Sequence, residues 1–101
     1  MDWPAERREQ ARKDCLFAVE CATLKRMGTE FATNISTGGI HLETRMPIHP
    51  NETISLVLTA PHTNIVVKVS GKMAWRTRTG IGVQLRGYEK QLETIIESLP
   101  R

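Results

Sequence analysis

Residues 65–76 read IVVKVSGKMAWR, and their alternation decides the fold. Ile65, Val67, Val69, Gly71, Met73 and Trp75 fall on one side of an extended chain, and Val66, Lys68, Ser70, Lys72, Ala74 and Arg76 on the other. Such a stretch is a strand with one face in a core and the other toward water. Gly71 on the inward face lets so long a strand bend sharply, as closure into a barrel requires. Outward from it, segments 15–23, 29–35, 40–43, 53–58 and 81–85 alternate or run apolar in the same way, for six strands in all. Residues 25–28 and 37–39 supply tight turns, 46–51 carries two prolines and 60–64 one, and Thr79-Gly80 makes the last short connection. Short connections imply antiparallel neighbours.

After Gly87 the period becomes helical. Tyr88, Leu92, Ile95, Ile96 and Leu99 form an apolar stripe, which predicts a helix over 88–99 ended by Pro100. A helix of about 18 Å with one apolar face has to cover something, and the open end of a barrel is the natural partner. The expected fold class is therefore all-β with a C-terminal helix, a six-stranded antiparallel β-barrel over 14–101. Residues 1–13 are polar and charged with no apolar stripe to anchor them, so a flexible N-terminal arm is expected there.

The totals agree with one small domain. A chain of 101 residues with 40% apolar and 25% charged residues suits neither disorder nor a membrane protein, and leaves no room for a second core. The longest uncharged run, 53–67, contains Ser55, Thr59, Pro61, His62, Thr63 and Asn64, so it cannot cross a bilayer as one apolar helix of roughly 20 residues. Asp2, Glu6 and Glu9 precede any apolar stretch, which argues against a secretory signal and for a cytoplasmic location. Cys15 and Cys21 share the inward face of one strand with Phe17 and Val19. Six residues of strand separate them by roughly 20 Å, too far for a disulfide, so they are expected to act as small buried hydrophobes.

Charge is unevenly spread. The net value is +3, yet between Thr53 and Tyr88 no Asp or Glu occurs while Lys68, Lys72, Arg76, Arg78 and Arg86 do. Signatures of catalysis are missing: His41, His49 and His62 are not at metal-ligand spacing with each other or with the cysteines, no nucleophile elbow occurs, and Gly71-Lys72 lacks the rest of a phosphate loop. The expectation is a non-enzyme with no metal and no cofactor.

Two clusters remain. In Arg8-Glu9-Gln10-Ala11-Arg12, with Arg7 in front, two guanidinium groups four residues apart can converge on one ligand. In Asn34-Ile35-Ser36-Thr37-Gly38-Gly39, a strand carrying Phe31 and Ile35 inward enters a turn. An amide and a hydroxyl then project outward together, beside glycines that let a ligand approach backbone. Local hydrogen bonding within a hairpin explains Ser36 and Asn34 equally well.

Taken in order, an Arg-x-x-x-Arg pair before the first strand, an Asn-x-Ser-x-x-Gly turn between the second and third, an apolar strand ending Ala74-Trp75, and Gly80-Ile81-Gly82-Val83 resemble the PilZ domain family over nearly the whole chain. That resemblance implies a six-stranded antiparallel barrel that binds the bacterial second messenger cyclic di-GMP. By it, Arg8 and Arg12 match the first motif and Asn34, Ser36 and Gly39 the second, with Asn34 standing where many members carry Asp. Arg7, Gly38 and Arg76 are further candidates for contact.

The ligand's chemistry suits these residue types. A guanine offers O6 and N7 as paired acceptors, which an arginine fork matches, and the same fork can stack on the base or bind phosphate. On the opposite edge the Asn34 carbonyl and Ser36 hydroxyl can accept from N1–H and N2–H₂. The arm would then wrap over the barrel on binding and signal to an unidentified effector protein. A ligand-free adaptor and a small-barrel nucleic-acid binder are the competing classes. The latter is disfavoured because base-stacking platforms need exposed rings and Phe17, Phe31 and Trp75 are read as core.

Overall fold

The computed structural model describes residues 13–60, 64–87 and 90–99. Six strands and one helix follow one another: β1 (Lys13–Ala22), β2 (Met27–Ile35), β3 (Gly39–Glu43), β4 (Thr53–Thr59), β5 (Val66–Arg76), β6 (Gly80–Leu85) and α1 (Lys90–Ser98). All pairings are antiparallel, and the sheet closes in the order β1-β2-β3-β6-β5-β4. The radius of gyration, 12.4 Å, is that of a compact chain of this length. Strand β1 begins at Lys13, two residues before the predicted start, because Lys13 pairs with Ile35 and Asp14 with Asn34. Residues 1–12, with Arg7, Arg8 and Arg12 and nearly all of the expected arm, lie outside the described residues, as does Tyr88 at the predicted helix start.

The alternation works as the sequence implies on most strands. Phe17, Val19 and Cys21 of β1, Ile54, Leu56 and Leu58 of β4, and Ile81 and Val83 of β6 fill the interior. Leu92, Ile95, Ile96 and Leu99 join the same core, so the helical stripe is buried against barrel residues as expected. Lys13 Nζ donates to the Leu99 carbonyl at 3.5 Å, which ties the helix to the end of the barrel where β1 starts and β2 ends. The other end is closed by residues 44–52, the one long crossing between strands that are not neighbours. Ile48 of this segment sits in the core, and Arg76 donates to the Met46 carbonyl to hold it.

Two strands depart from strict alternation. Between Ala32 and Asn34, β2 carries one residue more than β3 opposite it, and Ala32 and Ile35 are the buried pair. Phe31 is consequently 49% exposed, not inward as the alternation predicted. On β5 the extra residue falls between Met73 and Trp75 relative to β6. Val67 and Gly71 point inward as predicted, but Trp75 is turned to the outer face. The first hairpin also differs in chemistry: the Thr23 hydroxyl accepts from the backbone N–H groups of Lys25 and Arg26, and Gly28 lies within β2.

Gly71 is the pivot of β5, pairing with Ile54 on one side and Leu85 on the other. A Cβ there would stand 2.1 Å from the Gln84 carbonyl oxygen, so backbone would have to move. Gly71→Ala is expected to destabilise the fold by about 1–3 kcal/mol, the usual scale of overpacking, as read from urea denaturation.

Candidate functional site

The Asn-x-Ser-x-x-Gly stretch forms the β2–β3 hairpin. Ser36 N–H donates to the Gly39 carbonyl at 2.9 Å, and the backbone N–H of Leu85 donates to the Gly38 carbonyl at 3.0 Å, so the turn is fastened to the end of β6. The Ser36 side chain is 2% exposed: its hydroxyl donates to the Gly39 carbonyl at 3.4 Å and accepts from Gly38 N–H at 3.3 Å. The expected outward projection of Ser36 alongside Asn34 is therefore corrected, because the hydroxyl turns back to serve the polar groups of its own hairpin. Among described residues the one glycine at positive φ is Gly87, at 66°.

Asn34 is half-buried on β2 opposite Asp14. Its Nδ2 donates to Asp14 Oδ1 at 3.3 Å, while its Oδ1 is buried without a partner among the described residues. Most buried polar atoms are satisfied, so a leftover acceptor marks a place where a donor fits.

The register extends this position into a row across the outer face. Asn34 pairs with His41, His41 with Gly82, and Gly82 with Trp75. Four strands at about 4.8 Å spacing make the row roughly 14 Å wide. Its rings are organised: the Trp75 and His41 centroids are 5.2 Å apart and 19° from parallel, and Thr33 Oγ1 lies 2.6 Å from His41 Nδ1. Gly82 makes the arrangement possible, since a Cβ there would fall 2.3 Å from Trp75 Cε2. The adjacent row runs from Gly39 to Gln84 to Lys72. Trp75 and His41 were not singled out as outward partners by sequence reasoning, because the signal that moves Trp75 outward is the bulge, which has no signature within β5 alone.

Arg76 is placed differently. It pairs with Ile81 near the β5–β6 hairpin and donates to the Met46 carbonyl, at the opposite end of the strands from the Ser36 turn. Cys15 and Cys21 are free thiols on the inward face of β1. Burial, with Asp14 beside Cys15 and Glu30 beside Cys21 adding to it, pushes each up to about 11. Both are thus inert at neutral pH, as small hydrophobes should be. Among the described residues no group of three or more His, Cys, Asp or Glu could hold a metal, and no helix is long and apolar enough to cross a membrane.

The chain is thus a closed six-stranded antiparallel barrel with a C-terminal helix, and its β2–β3 hairpin carries Asn34, Ser36 and Gly39. A sequence model of the PilZ domain matches residues 6–99, and the chain belongs to that family, which is a family of cyclic di-GMP receptors. No curated protein sequence matches the chain. Among solved structures it is similar to the Bacillus subtilis inhibitor of motility MotI/DgrA, with TM-score 0.67 and 15% identity over 90% of this chain and 48% of that one. It is also similar to the PilZ domain of CeSA from a cellulose-synthesizing bacterium, with TM-score 0.65 and 14% identity over 86% of this chain and 91% of that one. This chain thus spans about half the length of the first of these structures.

Burial holds the His41 imidazole below the usual histidine range, against the opposing pull of the Glu43 carboxylate. A neutral ring stacked on Trp75 is therefore the resting state at pH 7. The His41 ring protons are expected to titrate by NMR with a midpoint under the model-peptide value of about 6.5, and Glu43→Gln is expected to lower it further.

Proposed function

We propose that this chain is a receptor for cyclic di-GMP that holds a guanine beside the Ser36 hairpin and passes the signal to a partner protein. The observation that carries the reading is the Asn34 Oδ1 atom, a buried acceptor with no partner among the described residues, two residues before the Ser36 hairpin. Guanine presents N1–H and N2–H₂ on one edge and O6 and N7 on the other. Asn34 is the acceptor for the first edge, and Arg8 and Arg12 supply forks for the second. Ser36 contributes chiefly by holding the hairpin through its bonds to Gly38 and Gly39, with its oxygen available if the long 3.3 Å and 3.4 Å contacts yield. The Trp75–His41 pair, one strand pairing beyond Asn34, gives an aromatic surface for the rest of the ligand. Arg76 is set aside as a contact, since its guanidinium already holds the segment at Met46.

A nucleic-acid-binding reading gains from the exposed Phe31 and the outward Trp75, two aromatics that alternation alone places in the core. Phe31, however, pairs with Glu43 and shares a surface hollow with Glu30, Glu43 and Arg45, where two carboxylates against one guanidinium do not favour a phosphate backbone. The cyclic dinucleotide is preferred on that ground. Fluorescence titration with single-stranded DNA at two salt concentrations is expected to show no tight, steeply salt-dependent binding.

Calorimetry with cyclic di-GMP, with cyclic di-AMP and GTP as controls, tests the reading directly. The parent protein should bind the guanine dinucleotide selectively. Arg12→Ala should lose at least tenfold, equivalent to about 1.4 kcal/mol, and Ser36→Ala should weaken binding through loss of hairpin order. Absence of binding by the parent would reject the receptor reading. If residues 7–14 act as the moving output, their backbone amides should gain hydrogen-exchange protection on ligand addition, and equal protection with and without ligand would remove the switch.

A further inference from the structure

We infer that Lys72, with Gln84 beside it, forms a phosphodiester-binding subsite on the same face. This rests on the receptor reading above. Strand β5 carries several exposed cations, and strand register separates them. Lys72 pairs with Gln84, and Gln84 with Gly39, so the lysine lies two strand spacings, about 10 Å, from the last residue of the hairpin. Lys68 pairs with Val57 of β4 and has no partner on β6, while Arg76 is at the far end and bound to the Met46 carbonyl. Only Lys72 among these three is brought beside the hairpin.

Its surroundings leave the charge uncompensated. Across the sheet stand Thr53 on β4 and Gln84 on β6, and the adjacent outward positions on its own strand are Ser70 and Ala74. None is acidic, and no Asp or Glu occurs from Thr53 to Tyr88. An exposed ammonium with hydroxyl and amide neighbours and no carboxylate in register suits an anionic oxygen. Gln84 adds an amide N–H donor one strand nearer the turn. A guanine beside Asn34 leaves its sugar–phosphate ring to run toward the Gly39–Gln84 row, the next outward row of the sheet. Lys72 then meets a phosphodiester at the β5 end of that row.

The test compares Lys72→Gln, Lys72→Arg and Lys68→Gln with the parent by calorimetry with cyclic di-GMP over a series of salt concentrations. Lys72 is exposed, so unchanged thermal unfolding is expected and keeps the comparison interpretable. Lys72→Gln should weaken binding about three- to tenfold and lower the slope of log Kd against log salt by about one ion. Lys72→Arg should stay within about twofold of the parent, and Lys68→Gln should be unchanged. Parent-like binding by Lys72→Gln, with Arg12→Ala still defective, would overturn the subsite while leaving the receptor reading intact. Equal weakening by Lys68→Gln would reduce the effect to a general surface field and overturn it likewise. Failure of the parent to bind would remove the receptor reading itself.

Discussion

The pairing of β3 with β6 is the constraint on which the rest depends. It runs from Gly39 opposite Gln84 to Glu43 opposite Gly80, and joins segments about forty residues apart in the chain. Bringing such distant segments together costs loop entropy before any contact repays it. The repayment comes from the interior: Ile40, Leu42, Ile81 and Val83 are all fully buried between these two strands and the rest of the core. With β1 paired to β4 on the other side, the sheet has no free ends in its ring order, and the outer face becomes continuous from β2 through β3 and β6 to β5. Every residue assigned to ligand contact on the barrel stands on that continuous surface.

Local irregularities then decide what the surface displays. One added residue in β2 leaves Phe31 outside and Ala32 inside, and one in β5 turns Trp75 outward. Gly82 lacks the Cβ that would collide with the indole, so Trp75 lies over backbone and stacks on His41. A bulge of this kind re-aims a side chain without altering the core on either side of it.

Polar accounting separates structure from function at the hairpin. Ser36 is buried and spends its hydroxyl on Gly38 and Gly39, so the motif serine is first of all a structural member of the turn. Asn34 is satisfied on its nitrogen by Asp14 and leaves its oxygen over. The same six-residue motif thus holds one group that completes the fold and one buried acceptor without a partner among the described residues.

Much of this was legible in the chain itself. Period-two alternation set out six strands to within about two residues at their ends, the 3.6-residue stripe of Leu92, Ile95, Ile96 and Leu99 announced the helix, and the Asn34 to Gly39 motif marked the hairpin. These are local signals, readable because each depends on neighbours a few residues away. The ring order of the strands, the outward turn of Phe31 and Trp75 and the return of Ser36 onto its own hairpin were settled only in three dimensions. A bulge counts residues on one strand against those on another, and register likewise belongs to a pair of strands, so neither can be read from one strand taken alone.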